Sequence, residues 1–318
     1  MCTAMFLQSK SKEAFFGRTM DFSYEISPEV YVVPKDYEWL SLKSNLKIKN
    51  KYRFIGTGQD TGNILFADGA NEKGLGVATL YFSEYAYYDE EIKTDKVSIA
   101  HIELVSYLLG NCASVEEVIK ALSFIHLFGI TDEVTNSVAP LHWIIADKHG
   151  NCIVVESTKA GVKIYNNPIG VLANSPNFPW HLTNLRNYYQ LSPIQLERRI
   201  WGNLILTPFG QGAGTFGLPG DFTPPSRFVR LSYIKSFIML PITNEETLVT
   251  CFNAMNSITI PKGVVITKNN TFDYTKYTVF TNLTTGDYYF NTYLNPEIKK
   301  KNIFDNNSDK ILSLGKLF

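Results

Sequence analysis

The chain opens Met1-Cys2-Thr3, and a cysteine in second place can do chemistry that an interior cysteine cannot. Methionine removal is generally permitted when the next side chain is small, and it leaves a free α-amine on Cys2. That amine has an ordinary pKa of about 8 and the thiol one of about 8.5. One residue then carries a nucleophile and its base. The amine takes the thiol proton, directly or through a water, and later hands one to a leaving amine.

The first hairpin must position this residue. Thr3–Gln8 and Ala14–Met20 are β-rich runs around the polar turn Ser9–Glu13. Centring the turn on Ser11 sets Cys2 opposite Met20, with Arg18 and Asp21 flanking the amine and thiol. A cation beside the thiol favours thiolate, and a carboxylate holds an ammonium by a charge-assisted hydrogen bond. Arg18 and Asp21 are three apart, so strict alternation points them to opposite faces. Both serve one site only if the strand ends or bulges near Met20.

Further strands are expected at Tyr52–Ile55, Ile64–Ala67, Leu75–Phe82, His142–Ala146, Cys152–Glu156, Val162–Tyr165, Val171–Ala173, Tyr277–Thr281 and Tyr288–Tyr293. Helices are expected over Val97–Leu109, after the capping signatures Ser114/Glu117 and Thr243/Glu246, and after Thr223-Pro224. This order lacks the βαβα alternation of a doubly wound sheet. It fits antiparallel sheets with helices packed outside, in one domain over residues 1–318.

Composition narrows the function. Thirty basic and thirty acidic residues balance, so nothing favours nucleic acid or an acidic membrane surface. No apolar run reaches the roughly 18 residues that span a bilayer. No signal peptide is evident, and the expected compartment is the cytoplasm. There the sequons at Asn269, Asn282 and Asn306 carry no meaning. Gly212-Ala-Gly-Thr-Phe-Gly217 matches a dinucleotide fingerprint by letters, but the prolines around it forbid the helix that motif must open. The five histidines lack ligand spacing, and His142, between Leu141 and Trp143, reads as a core residue. No metal or cofactor is expected. Two other uses of Cys2 stay open: a redox thiol with a resolving partner among Cys112, Cys152 and Cys251, or a ligand-binding protein in which Met1 still blocks residue 2.

Met1-Cys2-Thr3 and Gly17-Arg18-Thr19-Met20-Asp21-Phe22 together resemble the choloylglycine hydrolase family, which holds penicillin V acylases and conjugated bile salt hydrolases among the N-terminal-nucleophile hydrolases. Asn71–Leu75, Asn174-Ser175-Pro176, Leu206–Gly212 and Pro219–Phe228 extend the resemblance along essentially the whole chain. It implies an α+β fold, an αββα four-layer sandwich of two antiparallel sheets between helical layers. It implies Cys2 as nucleophile and base, tuned and held by Arg18 and Asp21. Asn174 and the backbone N–H of Tyr81 are implied as oxyanion donors, and Arg227 as an orienting cation. A homotetramer is implied as well.

The substrate is then a small-molecule N-acyl amide. Bile salt hydrolases typically carry Asn where this chain has Tyr81, and an aromatic wall suits a phenoxyacetyl group. Penicillin V is therefore the expected substrate, with conjugated bile salts as the alternative. Met20, Phe22, Tyr24, Phe66 and Tyr81 are the candidate pocket walls.

Overall fold

The structure is a computed structural model describing residues 1–305 and 309–318; Asn306 lies outside the described residues. Strands β1 (Cys2–Gln8) and β2 (Ala14–Phe22) form the first hairpin. Strands β3 (Glu29–Val33), β4 (Phe54–Asp60), β5 (Asp68–Asn71) and β6 (Leu75–Tyr81) follow. Helices α1 (Leu104–Asn111) and α2 (Val115–Phe124) lead to β7 (Leu141–Asp147), β8 (Cys152–Thr158), β9 (Gly161–Asn166) and β10 (Val171–Leu172). Helices α3 (Phe178–Asn184), α4 (Pro224–Phe237) and α5 (Asn244–Asn256) precede β11 (Tyr274–Asn282), β12 (Asp287–Thr292), β13 (Lys299–Asn302) and β14 (Leu312–Lys316).

Two sheets carry the fold. A six-stranded sheet runs β10-β1-β2-β11-β12-β13, and a nine-stranded sheet runs β9-β8-β7-β6-β5-β4-β3-β14 with Ile64–Phe66 added against β4. Every pairing within them is antiparallel. Helices α1 and α2 cover the outer face of the larger sheet, and α4 and α5 that of the smaller. The result is the four-layer αββα sandwich.

Alternation decides what each layer sees. Ala78, Leu80, Ile144 and Val154 meet Phe16 and the smaller sheet, whereas Val77, Trp143, Ile145 and Val155 meet Leu104, Leu108 and Val118 of the helices. Gly17 allows β2 and β11 to close up, since a Cβ there would stand 2.1 Å from the Val279 carbonyl oxygen.

The hairpin register is as expected, with Cys2 opposite Met20. The capping box of Thr243 and Glu246 is formed in full. Ser114 caps α2, while Glu117 takes the Ala113 N–H instead. The expected helix over Val97–Leu109 is divided. Val97–Ala100 is a strand parallel to Ile125–Phe128, and α1 starts only at Leu104. The β-rich Val-Ser-Ile-Ala finds a strand partner there, which outweighs helical continuity. Within Gly212–Gly217 only a single 3-10 turn forms, at Ala213–Thr215. No helix among the described residues is long and apolar enough to cross a membrane.

Candidate active site

Residue 2 stands at the end of β1, where its two sheet faces meet different layers. The Cys2 side chain, Arg18 and Met20 face the larger sheet; Thr3, Thr19 and Asp21 face helix α4. On the inner face, Arg18 Nη2 donates to Cys2 Sγ at 2.5 Å and to Met20 Sδ at 3.6 Å. Its Nε donates to the Thr19 carbonyl at 3.0 Å, which fixes the plane of the guanidinium. Burial works against the Arg18 charge, but Cys2, Tyr277, Asp68 and Asp21 outweigh it and hold its pKa above the ordinary value.

On the outer face, Arg227 rises from the first turns of α4. Its Nη1 donates to the Cys2 carbonyl at 2.8 Å and to Thr3 Oγ1, and its Nη2 donates to Asn174 Oδ1 at 2.7 Å. A cation at a helix start opposes the dipole. The Asp21 carboxylate, 3.6 Å from Nη1, compensates. Burial still pulls the Arg227 pKa down, with Asp21 and Cys2 resisting. Burial likewise pushes Asp21 up, against Arg227, the chain's terminal ammonium and the Thr275 hydroxyl that donates to it at 2.6 Å.

Arg18 and Asp21 thus lie on opposite faces, as strict alternation places them, and only the Arg18 side chain touches residue 2. The register shift sits on the partner strand, between Thr275 and Tyr277. Arg18 touches Cys2 directly, whereas the Asp21 carboxylate is tied to it only through Arg227. The Asp21 side chain grips Thr19 and Thr275, and it is its backbone carbonyl that accepts from the Met1 amine, at 2.5 Å. With Met1 in place the Cys2 nitrogen is an amide, standing in for the amine of a trimmed chain, and it donates to Asn174 Oδ1 at 2.8 Å.

Asn174 follows β10 after Ala173. Its Nδ2 donates to the Tyr81 carbonyl at 2.8 Å. Phe82 N–H bonds across to Pro140 and Thr79 N–H to Ala67 on the other side. Ladder alternation therefore turns the N–H and C=O of Tyr81 away from β7, to the side where Asn174 stands. The Asn174 carboxamide and the Tyr81 backbone therefore meet beside Cys2.

Of the groups behind these residues, the sequence marks only His142, as a core residue. His181 Nε2 bonds the Asn174 carbonyl at 2.8 Å, and His142 Nε2 bonds the Ala173 carbonyl at 2.9 Å. Two buried rings therefore fix the backbone that aims the Asn174 amide. Burial lowers His181 to about 4, so it is a neutral strut. Behind Arg18 lie Asp68 from β5, Tyr288 from β12 and Thr57 from β4. Asp68 and Thr57 come from neighbouring strands of the larger sheet, and Tyr288 meets them only when the sheets pack.

Cys2 and Arg18 open onto an apolar cavity walled by Met20, Phe22, Ile26, Phe66, Leu141 and Tyr81. Tyr24 is outside it. Tyr24 stands in a more polar cleft on the other side of Phe22 and Tyr81, with Met1, Asn174, Lys268 and Asp273. The Leu206–Gly212 motif is not among the walls of either. It sits on an exposed arm with Trp201, Leu204, Phe209 and Phe216 open to solvent. Asn71 explains another motif structurally. Its Nδ2 ties the ends of α1, at Leu109 and Cys112, to the turn that Gly74 closes at a φ of 88°. All four cysteines are buried free thiols. Burial pushes Cys112 and Cys152 up to about 12 and raises Cys251 as well, which makes each a poor resolving thiolate.

Residues 2–312 match the model of the linear amide C–N hydrolases of the choloylglycine hydrolase type. This chain belongs to the choloylglycine hydrolase family. It is a hydrolase of linear amide C–N bonds, and its substrate is a small-molecule amide. A bile salt hydrolase/transferase of Clostridium perfringens is 36% identical over 98% of this chain and 94% of its own. A solved conjugated bile acid hydrolase from the same organism superposes with a TM-score of 0.92 at 35% identity, covering 99% of this chain and 97% of that one. A penicillin V acylase of Pectobacterium atrosepticum is 24% identical over 89% of this chain and 75% of its own. The balance of relatives therefore runs opposite to the penicillin V expectation drawn from Tyr81.

Proposed function

We propose that this chain hydrolyses the amide of glycine- or taurine-conjugated bile salts. The observation that carries the reading is the Cys2 sulfur, 2.5 Å from the Arg18 guanidinium, at the wall of an apolar cavity. The bile salt and bile acid hydrolase names of relatives at 30–36% identity favour this amide over penicillin V.

In the mechanism Met1 is first removed, and the freed Cys2 amine takes the thiol proton. The thiolate attacks the amide carbonyl, and a C–S bond forms. Negative charge gathers on the carbonyl oxygen, where Asn174 Nδ2–H and Tyr81 N–H receive it. The C–N bond breaks as the Cys2 ammonium returns its proton to the departing amine. Water, deprotonated by the same amine, opens the thioester and releases the acid. Asp21 and Arg227 fix the Cys2 backbone and Asn174 throughout.

One observation favours penicillin V as a second substrate. The Tyr81 ring stands 6.2 Å from the Phe22 ring, an aromatic wall for a phenoxyacetyl group. Parallel assays on glycocholate, taurocholate and penicillin V, with Cys2→Ala as control, test the reading. Glycocholate or taurocholate is expected to turn over fastest, and Cys2→Ala to be inactive. Equal turnover by Cys2→Ala, or intact mass retaining Met1 in an active preparation, would remove the mechanism. One domain, a cytoplasmic setting and a homotetramer belong to the same proposal. The exposed apolar arm around Trp201 and Phe209 supports self-association, which light scattering measures directly.

A further inference from the structure

Asp68 lies on β5 of the larger sheet, 2% exposed, with its carboxylate buried. A buried carboxylate is costly unless it is paired and hydrogen-bonded. Its Oδ1 accepts from Tyr288 Oη at 2.5 Å, and that hydroxyl bonds Thr57 Oγ1 at 2.5 Å. Its Oδ2 has no hydrogen-bond partner and faces Arg18 Nη1 at 3.7 Å; Nη1 also has none. Tyr277 Oη is a third buried polar atom without one, electrostatically tied to Asp68, Arg18 and Cys2. The guanidinium thus stands between a sulfur and a carboxylate. Nη2 touches Cys2 Sγ, while Nη1 faces Asp68 Oδ2.

We propose that Asp68, held by Tyr288, is a positioning residue that anchors Arg18 from the opposite sheet and keeps its guanidinium aimed at the Cys2 sulfur. This rests on the thiol-amidase reading. The arrangement suits a sulfur that changes charge during turnover. A thiolate competes with Asp68 for the guanidinium. A thioester sulfur is neutral, and Asp68 then remains as the counter-ion, so Arg18 stays charged and in place for the next cycle.

The test compares Asp68→Asn and Tyr288→Phe with wild type in two assays: glycocholate kinetics, and the rate of Cys2 alkylation by iodoacetamide at fixed pH. Loss of the negative charge alone would speed alkylation, because an unopposed Arg18 stabilises the thiolate more. Loss of aim slows it. We expect Asp68→Asn to alkylate more slowly and to lose about tenfold in kcat with KM nearly unchanged. Tyr288→Phe moves both readouts the same way by a smaller factor. Faster or unchanged alkylation in folded Asp68→Asn overturns the proposal. Should Asp68→Asn fail to fold, Tyr288→Phe decides on the same readouts, and wild-type values there overturn it. If wild type turns over none of the amides, the substrate assignment fails, and the alkylation rates still judge Asp68.

Discussion

Arg18 and Arg227 are both fully buried, both bonded to residue 2 and both set against an aspartate, yet they are built in opposite ways. Arg227 spends its donors on fixed oxygens: the carbonyls of Phe222 and Cys2, Thr3 Oγ1 and Asn174 Oδ1. Arg18 spends one on a backbone carbonyl, gives Nη2 to two sulfurs, and leaves Nη1 unbonded. The charge of the first is used for geometry and that of the second for the nucleophile. Their pKa shifts follow, with Arg227 pulled down by burial and Arg18 held up by its neighbours despite burial.

Removing each cation is the strongest way to break the comparison. Arg227→Ala leaves Asp21 without its cation and takes a donor from four oxygens. Breaking a buried pair in this way costs about 3–5 kcal/mol. The expected outcome is a large fall in melting temperature together with loss of turnover. Arg18→Met leaves only Asp68 unbalanced, still bonded by Tyr288, and fills the space beside Met20. It is expected to lose kcat as severely while losing clearly less stability. Denaturant melts run beside glycocholate kinetics check this; equal stability losses in the two variants would erase the distinction.

The next largest effect lies where the outer face meets the reacting carbonyl. Asn174→Ala removes one amide donor and leaves both members of each charge pair present, though Arg227 Nη2 loses an acceptor. It is expected to lower kcat by about a hundredfold to a thousandfold, with KM changed little. A KM effect alone would mean that Asn174 binds substrate in its ground state and does not serve the developing oxyanion.

How much of this was legible follows from distance along the chain. Cys2, Arg18 and Asp21 share one hairpin, and counting out from Ser11 placed them in register. Asn174, Tyr81 and Arg227 entered only through the family resemblance, because nothing local marks a strand-end Asn or a helix-start Arg as a donor to residue 2. Asp68, Tyr288 and Thr57 were invisible. Each is an ordinary strand residue, and alternation says which face it occupies without saying what the other sheet brings opposite. Trp201, Phe209 and Phe216 stand in solvent, and apolar letters alone do not say which face of the fold they occupy. Residues 97–100 read as helix because the pattern could not reveal a parallel partner at 125–128.

The buried histidines and the buried aspartates differ in their response to acid. Burial holds His181, the strut under Asn174, near 4, below its ordinary 6.5, and desolvation does the same to His101. The unfolded chain binds those protons below 6.5 and the folded one resists them. Stability from each ring is full above pH 6.5 and is lost as the pH falls through 4, up to about 3 kcal/mol per ring. Asp21 and Asp68 carry the opposite sign. Their pKa values are raised by burial, so their contribution is full at low pH and declines as the pH rises through the folded values. Thermal melts from pH 7 to 4 are expected to slope downward. His181→Phe keeps the stack on Phe228, flattens part of that slope, and lowers kcat by loosening Asn174. His101→Phe flattens the rest and leaves kcat alone.

The smallest effects sharpen the contrast most cleanly, because a threonine backs each aspartate. Thr275 Oγ1 donates straight to Asp21 Oδ1, whereas Thr57 Oγ1 reaches Asp68 only through the Tyr288 hydroxyl. Hydrogen bonds to a charged group contribute about 1.5–3 kcal/mol and neutral ones about 0.5–1.5. Thr275 also accepts the Ile260 N–H at 2.9 Å, beside the register shift that lets β11 follow β2 to Asp21. Thr275→Val is therefore expected to cost more stability than Thr57→Val, by about 1 kcal/mol. Activity should run the other way per unit of stability lost. Thr57 lies on the chain that ends at Arg18 and the sulfur, and it also walls the apolar cavity. Matched denaturant melts and alkylation rates for the two valine variants measure both quantities. If alkylation of Cys2 slows equally in the two, the outer face reaches the sulfur as strongly as the inner one, and the division of labour between the arginines fails.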